Sequence, residues 1–386
     1  MSRPRILVLS FSPIASDPRV RRQIELLAAS HELTVAGYGP YSAPGVEFIS
    51  LTHISRRPFQ RLHAALRLKL GCYDAYYWST TAIAQARLAL KDRRFDLILA
   101  NDSESWPLAR ALASPHKTPV LCDAHEYTPR EFEDIAWWRF LLRDYKTDLC
   151  RRHLPQADGV LTVCEGIADE YARVFGIPRP RVVMNTPPLQ PLAPVATPPD
   201  HVRMVHHGGA TRSRRIETMI RMLDHLDARF TLDLILVPSD PAYLKQLRQL
   251  ATDRPRVRFL DPVPMPEIPS LLNHYDIGLY LLEPNSFNNR HALPNKFFEF
   301  IQARLAIAIG PSPEMANLVR AHGLGIVADD FTPGALAASL NKLAAGEIDA
   351  FKAASHRTAP LLSWDHEREI LRQEVTRLLA LRPCVA

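Results

Sequence analysis

Short apolar runs alternate with amphipathic segments of helical length from one end of the chain to the other. Residues 17–29 illustrate the helical pattern, because Val20, Ile24 and Leu27 recur at helical spacing and share one face. The apolar runs have the length of strands, and their apolar residues are continuous rather than alternating. Continuous apolar strands separated by helices predict a parallel sheet that is covered by helices on both faces.

The same pattern gives the bounds of the predicted elements. In the first half, strands are predicted at Arg5–Ser10, Glu32–Tyr38, Val46–Leu51, Phe95–Asn101, Pro119–Asp123, Asp158–Cys164 and Arg181–Met184. In the second half, strands are predicted at Val202–His206, Thr231–Val237, Val257–Leu260, Asp276–Leu281, Leu305–Ile309 and Gly325–Val327. Helices are predicted at residues 17–29, 80–93, 103–113, 130–153, 165–175, 333–345 and 365–381.

A proline-rich segment divides the two halves. Residues 187–200, PPLQPLAPVATPPD, hold six prolines, which remove backbone donors and favour an extended, semi-rigid linker. We therefore predict a first α/β domain over residues 1–186, a linker over 187–200 and a second α/β domain over 201–362. A C-terminal helical segment follows over 363–386. Both domains are predicted to be doubly wound, with ligands bound at the carboxyl ends of their strands in a crevice that faces the partner domain.

Composition excludes several classes of protein. Of 386 residues, 47% are hydrophobic and 23% are charged, which is the balance of a globular protein with two domains. A net charge of +6 is weak support for nucleic-acid binding, so no nucleic-acid partner is expected. The five cysteines are widely spaced without a CxxC motif, and no apolar run is long enough to span a bilayer. These features predict a cytoplasmic protein with reduced thiols and without a zinc site.

The turn after the first predicted strand of the second half favours anion binding. Gly208 and Gly209 end the strand, and a helix is predicted to begin near Ser213. Arg212, Arg214 and Arg215 crowd that helix start, although cations are unfavourable there unless an anion is bound. The alternative is a solvated arginine-rich turn. The first half lacks a GxGxxG motif after its first strand, which argues against a dinucleotide-dependent dehydrogenase.

A second cluster lies in HALPNKFFEF, residues 291–300. Pro294 is suited to open a helix, which places Asn295 and Lys296 in its first turn and Glu299 on the side of Lys296. We expect Lys296 to bind a phosphate and Glu299 to bind sugar or ribose hydroxyls. The alternative is an ion pair between these two side chains within the helix.

A third cluster lies in CDAHEYTPREF in the first half. Asp123, His125 and Glu126 follow a strand, as does Asp102 on another strand, and this edge of an open α/β sheet carries functional groups. His125 could exchange hydrogen bonds with a sugar hydroxyl, or it could be a loop histidine satisfied by Asp123 or Glu126. Two further polar residues follow the first strand: Arg19 is a candidate for the same site, and Asp17 is expected to cap the next helix.

A basic segment spans residues 56–70, RRPFQRLHAALRLKL. Phe59, Leu62, Leu66 and Leu70 form one helical stripe, and no acidic residue occurs between Phe48 and Tyr73. The cations around the stripe are Arg56, Arg57, Arg61, Arg67 and Lys69. Two interpretations remain open: the segment docks on an anionic membrane surface, or it is an ordinary helix that buries its leucines.

Over nearly its whole length the chain resembles the retaining glycosyltransferases of family 4. The similar segments are SDPRVRRQIELLAASHELTV, DAHEY, HHGG…RRIETMI, LPNKFFEFIQARLAIAI and the last helix after Trp364. This resemblance implies the glycosyltransferase-B fold, in which two Rossmann-like domains face each other across a cleft. It also implies that the last helix crosses back onto the first domain.

The resemblance further implies which residues hold the substrates. The second domain would bind the nucleotide sugar, with Arg214 neutralising the diphosphate and Glu299 matching the second glutamate of the E-x7-E pattern. His291 stands where the first glutamate is usual, and Gly209 stands where a second basic residue is usual, so Arg212 or Arg215 would take over that charge. The first domain would bind the acceptor through Arg19, Asp102, Asp123, His125 and Glu126.

The function expected from these observations is sugar transfer from a nucleoside-diphosphate sugar, with uridine favoured, to a glycan or polyprenyl-linked acceptor in cell-surface polysaccharide synthesis. We expect retention and no metal cofactor, because a basic pair can replace a metal ion at the leaving group. The alternatives are a nucleotide-sugar 2-epimerase, which needs no acceptor, and a non-catalytic subunit that binds nucleotide sugars beside a partner transferase.

Overall fold

A computed structural model describes residues 3–54 and 57–381 of the chain. The chain divides into two compact units. Unit 1 comprises the described residues up to Met184 together with Ser286–Asn288 and those from Arg368 onward. Unit 2 comprises Asn185–Asn285 and Asn289–Glu367.

Unit 1 contains a seven-stranded parallel sheet in the order β3-β2-β1-β4-β5-β6-β7. Its strands are β1 (Arg5–Pro13), β2 (Glu32–Tyr38), β3 (Val46–Leu51), β4 (Leu97–Asn101), β5 (Val120–Ala124), β6 (Gly159–Thr162) and β7 (Arg181–Val182). The central strands are buried on both faces, and Ile6, Leu7, Val8 and Leu9 have no exposed surface. The strand order reverses between β1 and β4, where a doubly wound sheet opens toward its ligands.

Helices cover both faces of this sheet. They are α1 (Pro18–Ala28), α2 (Pro58–Lys69), α3 (Tyr73–Trp78), α4 (Thr81–Leu90), α5 (Trp106–Ala113), α6 (Ala136–Leu141), α7 (Arg143–His153) and α8 (Glu165–Phe175). The helix predicted over 130–153 is wrong in its extent. A 3-10 turn at Thr128–Arg130, which contains Pro129, precedes two separate helices that meet at Leu142.

Unit 2 contains a six-stranded parallel sheet in the order β10-β9-β8-β11-β12-β13. Its strands are β8 (Val202–Gly209), β9 (Phe230–Val237), β10 (Val257–Leu260), β11 (Ile277–Tyr280), β12 (Ala306–Ile309) and β13 (Gly325–Val327). The remaining helices are α9 (Glu217–Met222), α10 (Pro241–Leu250), α11 (Ile268–Leu272), α12 (Phe287–Arg290), α13 (Asn295–Gln302), α14 (Pro313–His322), α15 (Pro333–Leu340), α16 (Ala345–Thr358) and α17 (Trp364–Ala380). The prediction of two doubly wound α/β domains is confirmed.

The proline-rich segment 187–200 is anchored along unit 2. The guanidinium of Arg304 donates to the carbonyls of Gln190 and Leu192 at 2.6 and 3.2 Å, and Asp349 accepts from the Thr197 N–H at 2.9 Å. Trp364 N–H donates to the Pro187 carbonyl at 2.8 Å. The segment is therefore held along its length as part of unit 2.

Most of α17 completes unit 1. The buried Glu374 carboxylate accepts from Arg181 at 3.3 Å, and Arg377 donates to the Asp158 carbonyl at 2.8 Å, so the helix is joined to the edge of the sheet at β6 and β7. Residues 382–386 of the predicted C-terminal segment, including Cys384, lie outside the described residues. The other four cysteines are free thiols. In the part of the chain that the structure describes, no helix is both long and apolar enough to cross a membrane.

Close packing at Gly278 gives a test of the unit 2 core. A Cβ atom at this β11 residue would lie 2.3 Å from Cγ of the buried Phe300 ring on α13. We expect Gly278→Ala to lower the free energy of unfolding by about 2 kcal/mol or more, because the core has no room for the methyl group. Urea denaturation measures this loss. Gly346→Ala on α16, where no atom lies within 4 Å, is the control and should not destabilise the protein; equal stability of the two variants would contradict the packing described.

Candidate functional site

Two positive side chains converge on the end of β8. The β8–β11 boundary is the point where strand order reverses in unit 2, and β8 ends there at Gly208-Gly209. Gly208 has a φ of 116°, and a Cβ atom at this position would lie 3.0 Å from Lys296 Nζ and 3.2 Å from Arg214 Nη1. The backbone conformation therefore favours glycine at this position, and its lack of a side chain leaves room for the close approach of the two cations.

Lys296 reaches this turn from the first turn of α13. Pro294 precedes the helix, as predicted, and Asn295, which is half-buried, begins it. The Lys296 side chain is buried, with Nζ 3.4 Å from His206 Nε2 and 4.6 Å from the centroid of the Tyr280 ring. Burial, and next the charge of Arg214, hold the pKa of Lys296 well below its usual range. Within residues 3–54 and 57–381, neither Lys296 nor Arg214 forms an ion pair.

Two neutral histidines line the same strand end. His206 Nδ1 lies 2.9 Å from the Leu279 carbonyl, which can only accept, so Nδ1 carries the proton and Nε2 accepts from Lys296. His207 Nε2 lies 3.3 Å from Glu299 Oε2, and burial together with the charges of Lys296 and Arg214 lowers the pKa of His207 to about 3. Sequence reasoning missed both histidines, although they directly precede the two glycines.

Of the three arginines in the turn, only Arg214 reaches the glycines. Arg214 Nη1 donates to the Gly209 carbonyl at 3.2 Å. Arg212 Nε instead lies 3.2 Å from Asp240, and Arg215 pairs with Glu283. The predicted helix start near Ser213 is also wrong, because Arg212–Arg214 form a 3-10 turn and α9 begins only at Glu217. The acidic partners of Arg212 and Arg215 are distant in sequence, so the local pattern could not reveal them.

The other residues expected to bind the donor lie in two places. Glu299 is buried on α13 beside His207. It forms no ion pair with Lys296, so the alternative of an ion pair within the helix is wrong. His291 precedes α13, and its Nδ1 lies 2.8 Å from Glu314 in the first turn of α14. His291 therefore does not join the groups that meet at Gly208.

In unit 1, Arg19 and Asp123 form a buried ion pair. Arg19 donates from Nε and Nη2 to the two Asp123 oxygens at 2.7 and 2.6 Å, and Gln23 donates to the same carboxylate at 2.5 Å. Burial alone would raise the pKa of Asp123, but Arg19 and His125 overcome it and hold the pKa below its usual range. Asp17 accepts from the N–H groups of Arg19 and Val20, so it caps α1 as predicted. Arg19 thus fixes Asp123 in place.

His125 lies between two carboxylates at the ends of β4 and β5. Its Nδ1 is 3.2 Å from Asp102 Oδ2, and its Nε2 is 3.4 Å from Asp123 Oδ2. Burial by itself would lower the pKa of His125, but the two carboxylates raise it to about 9. His125 is therefore a cation that donates from both nitrogens. It is satisfied by Asp123, as the loop-histidine alternative expected, and its side chain still remains 19% exposed to a pocket.

A pocket of about 340 Å³ lies within unit 1 beside His125, and we call it the acceptor-side pocket because the residues expected to bind an acceptor border it. It is lined by Phe11, Ser12, Asn101, Asp102, Ser103, Glu104, His125, Glu126, Thr128 and Glu131. Buried Lys146 on α7 contacts Glu104, and its Nζ lies 2.9 Å from Glu131. The Asn101 amide nitrogen is buried without a hydrogen-bond partner among the described residues. Sequence reasoning missed Lys146, Glu104 and Glu131, because they come from three separate loops and helices.

Comparisons with known proteins bear on the family and on the fold of the chain. Residues 16–188 match the family described as a glycosyl transferase 4-like domain. This segment of the chain is thus similar to a glycosyltransferase domain. A search of curated proteins found no significant match.

Solved structures show the fold of the whole chain. Sucrose-phosphate synthase from Thermosynechococcus elongatus has a TM-score of 0.71 at 15% identity, over 98% of this chain and 100% of the other. HepE from Anabaena, solved in complex with UDP-glucose, has a TM-score of 0.68 at 14% identity, over 98% and 99%. WaaG, a glycosyltransferase involved in lipopolysaccharide biosynthesis, has a TM-score of 0.67 at 13% identity, over 96% and 99%.

The glycosyltransferase-B fold is therefore confirmed, with two Rossmann-like domains. The predicted enzyme class, a glycosyltransferase, is confirmed by the matched domain together with this fold.

The raised pKa of His125 predicts a pH dependence of stability. The folded-state pKa of about 9 exceeds the ordinary value of 6.5, so the stabilisation is fully present below pH 6.5 and is lost as the pH rises through 9. Relative to His125→Gln, the free energy of unfolding of the unaltered protein should fall by up to about 3 kcal/mol across this range. Urea denaturation of the protein and the variant at several pH values measures this difference in the free energy of unfolding. If the profiles of the protein and the variant run parallel, His125 is not the charged group described.

Proposed function

We propose that the chain transfers a sugar from a nucleoside-diphosphate sugar, with a uridine nucleotide favoured, to a glycan or polyprenyl-linked acceptor. The observation that carries the proposal is the convergence of Lys296 and Arg214 on Gly208 without an ion-pair partner among the described residues. Two buried or half-buried cations that face each other are costly unless an anion joins them. A diphosphate supplies that anion, and UDP-glucose is the molecule found in the similarly folded HepE.

The two cations would act on the leaving group. Departure of a nucleoside diphosphate builds negative charge on the β-phosphate, and preorganised positive charge stabilises that state more than the ground state. The first N–H groups of α13 lie beside Lys296 and add to the positive field. Burial and the charge of Arg214 hold the pKa of Lys296 low, and a diphosphate beside it would oppose both effects by favouring the charged form. This positive charge is the basis for proposing transfer without a metal ion.

Glu299 and the neutral His207 would bind hydroxyl groups of the donor. The two side chains lie side by side at 3.3 Å, one as an acceptor and the other with a ring nitrogen that can donate or accept. Their position next to Lys296 supports the role that the family resemblance implies for Glu299.

The state of His125 supports retention. An imidazolium held between Asp102 and Asp123 cannot accept a proton from the acceptor hydroxyl. In a retaining reaction the departing phosphate oxygen can take that proton on the same face of the sugar, and His125 then positions hydroxyl groups in the acceptor-side pocket. A role in cell-surface polysaccharide synthesis is proposed by analogy with the similarly folded WaaG, a glycosyltransferase involved in lipopolysaccharide biosynthesis.

Donor binding tests the two cations. Each charge-assisted contact contributes roughly 1.5–3 kcal/mol, so Lys296→Met and Arg214→Met should each weaken UDP binding by about ten-fold or more in isothermal calorimetry. Without ligand, Lys296→Met should melt no lower than the unaltered protein, because no carboxylate among the described residues forms an ion pair with the buried charge. Arg221→Met, an exposed cation on α9, is the control and should leave UDP affinity within two-fold or so.

Arg212→Met tests whether Arg212 binds the donor, as the sequence pattern predicted, or is held by Asp240, as in the structure. Because Arg212 is held by Asp240, its loss should leave UDP affinity near that of the control. Unchanged UDP binding in both Lys296→Met and Arg214→Met would remove the basis of the proposed function.

The reaction itself is tested with a panel of UDP-sugars and membrane or glycan fractions as acceptors. We expect UDP release only when donor and acceptor are both present, no effect of a chelator, and a product with the anomeric configuration of the donor in NMR spectra. Interconversion of donor sugars without an acceptor would indicate an epimerase instead. Tight UDP binding without any turnover would indicate the non-catalytic subunit.

A further inference from the structure

The apolar stripe of α2 is exposed rather than buried. The helix turns Ala64 and Leu68 toward the protein, whereas the stripe predicted from the sequence faces solvent. The exposed fractions are 71% for Phe59, 69% for Leu62, 54% for Leu66 and 68% for Leu70. The interpretation of α2 as a helix that buries its leucines is therefore wrong, and these four side chains require another explanation.

The neighbouring helix α6 enlarges the apolar surface. Trp137 and Phe140 are 60% and 66% exposed, and Lys69 Nζ of α2 lies 3.2 Å from the centroid of the Phe140 ring. The two helices thus present one patch, the docking surface, formed by Phe59, Leu62, Leu66, Leu70, Trp137 and Phe140. A large exposed apolar patch with aromatic members is a mark of an interaction site.

Positive charge surrounds the docking surface. Arg57, Arg61, Arg67 and Lys69 lie on or beside α2, and the sequence has no acidic residue between Phe48 and Tyr73. Arg56 belongs to the same run but lies outside the described residues. The nearest acidic residues in the sequence are Asp74 after α2 and Asp134 and Asp144 on either side of α6. Asp74 pairs with Arg152, and Asp144 pairs with Arg143. The charge of the surface is complementary to an anionic partner.

The docking surface also borders a second pocket of unit 1. This pocket has a volume of about 540 Å³, and Arg61, Trp137 and Tyr38 are among its lining residues. The centroid of the Tyr38 ring lies 6.1 Å from the centroid of the Phe11 ring, and Phe11 lines the acceptor-side pocket. One aromatic pair therefore connects the surface to the place where an acceptor would bind.

We infer that the docking surface binds an anionic lipid bilayer, with α2 and α6 lying in the plane of the headgroups. Apolar and aromatic side chains would enter the boundary between headgroups and acyl chains, while the arginines and Lys69 meet lipid phosphates. A second copy of the chain fits less well, because a two-fold contact would place the same cations against each other. That the membrane also delivers a lipid-borne acceptor to the pocket rests on the proposed function.

Vesicle flotation of the full chain tests the docking surface. The vesicles contain phosphatidylcholine alone or phosphatidylcholine with phosphatidylglycerol. Leu62→Ser/Leu66→Ser should lower partitioning onto the mixed vesicles by about ten-fold or more, because two apolar anchors are lost. Arg57→Glu/Arg61→Glu should lower it by a similar factor, and the binding of the unaltered protein should weaken with salt.

Matched controls carry the same chemical changes elsewhere. Leu88→Ser/Leu361→Ser removes leucines that are 69% and 52% exposed, and Arg221→Glu/Lys245→Glu reverses two exposed cations. Both controls should bind the mixed vesicles like the unaltered protein. UDP affinity, measured on every variant, should remain unchanged and shows that the variants are folded.

The possible outcomes are distinct. No preference for anionic vesicles, or an equal loss in the controls, overturns the inference. A dimer in analytical ultracentrifugation that Leu62→Ser/Leu66→Ser abolishes also overturns it, because the surface is then an interface between copies. Vesicle binding with the expected variant effects supports docking even if UDP does not bind, and in that case the proposed function alone fails.

Discussion

Mutual repulsion of two positive charges at Gly208 constrains the rest of unit 2. Lys296 and Arg214 both approach one strand end, where Gly208 has a positive φ and no side chain to occupy the space beside them. His206 must then be neutral and must keep its proton on Nδ1, since a second cation would stand against Lys296. The parallel pairing of β8 with β9 and β11 fixes this strand end, and α13 brings the lysine to it. A site that is unfavourable when empty is well suited to bind an anion.

The same fold places the opposite arrangement in unit 1. There the cation is His125, and two carboxylates compensate it before any ligand arrives. Arg19 in turn compensates Asp123, so the charges form a chain in which every member has a partner. Such a site is rigid and suited to orienting neutral hydroxyl groups. Under the proposed function, this contrast would let two similar sheets serve the charged and the uncharged reactants of one reaction.

Sequence reasoning found what depends on local pattern. It located the strands, the helix that begins after Pro294, and Lys296, Glu299, Asp123 and His125 at strand ends or helix starts, because periodicity and turn residues are readable over a few positions. It failed for Arg212 and Arg215, whose acidic partners Asp240 and Glu283 are distant in the chain. It also missed Lys146, which reaches the pocket-lining Glu104 and Glu131 only through tertiary packing. Sequence reasoning also could not decide which face of α2 is buried, because an apolar stripe can either pack against the protein or face a partner.

The path of the chain has a consequence for the order of folding. Residues 185–367, apart from Ser286–Asn288, form unit 2, whereas unit 1 needs α17, whose Glu374 and Arg377 join β6 and β7. During synthesis from the N-terminus, the whole second sheet is therefore made before α17 is available to pack on unit 1. Until then, the groups of β6 and β7 that contact α17 remain exposed. The domain that is translated first is thus the one that is completed last.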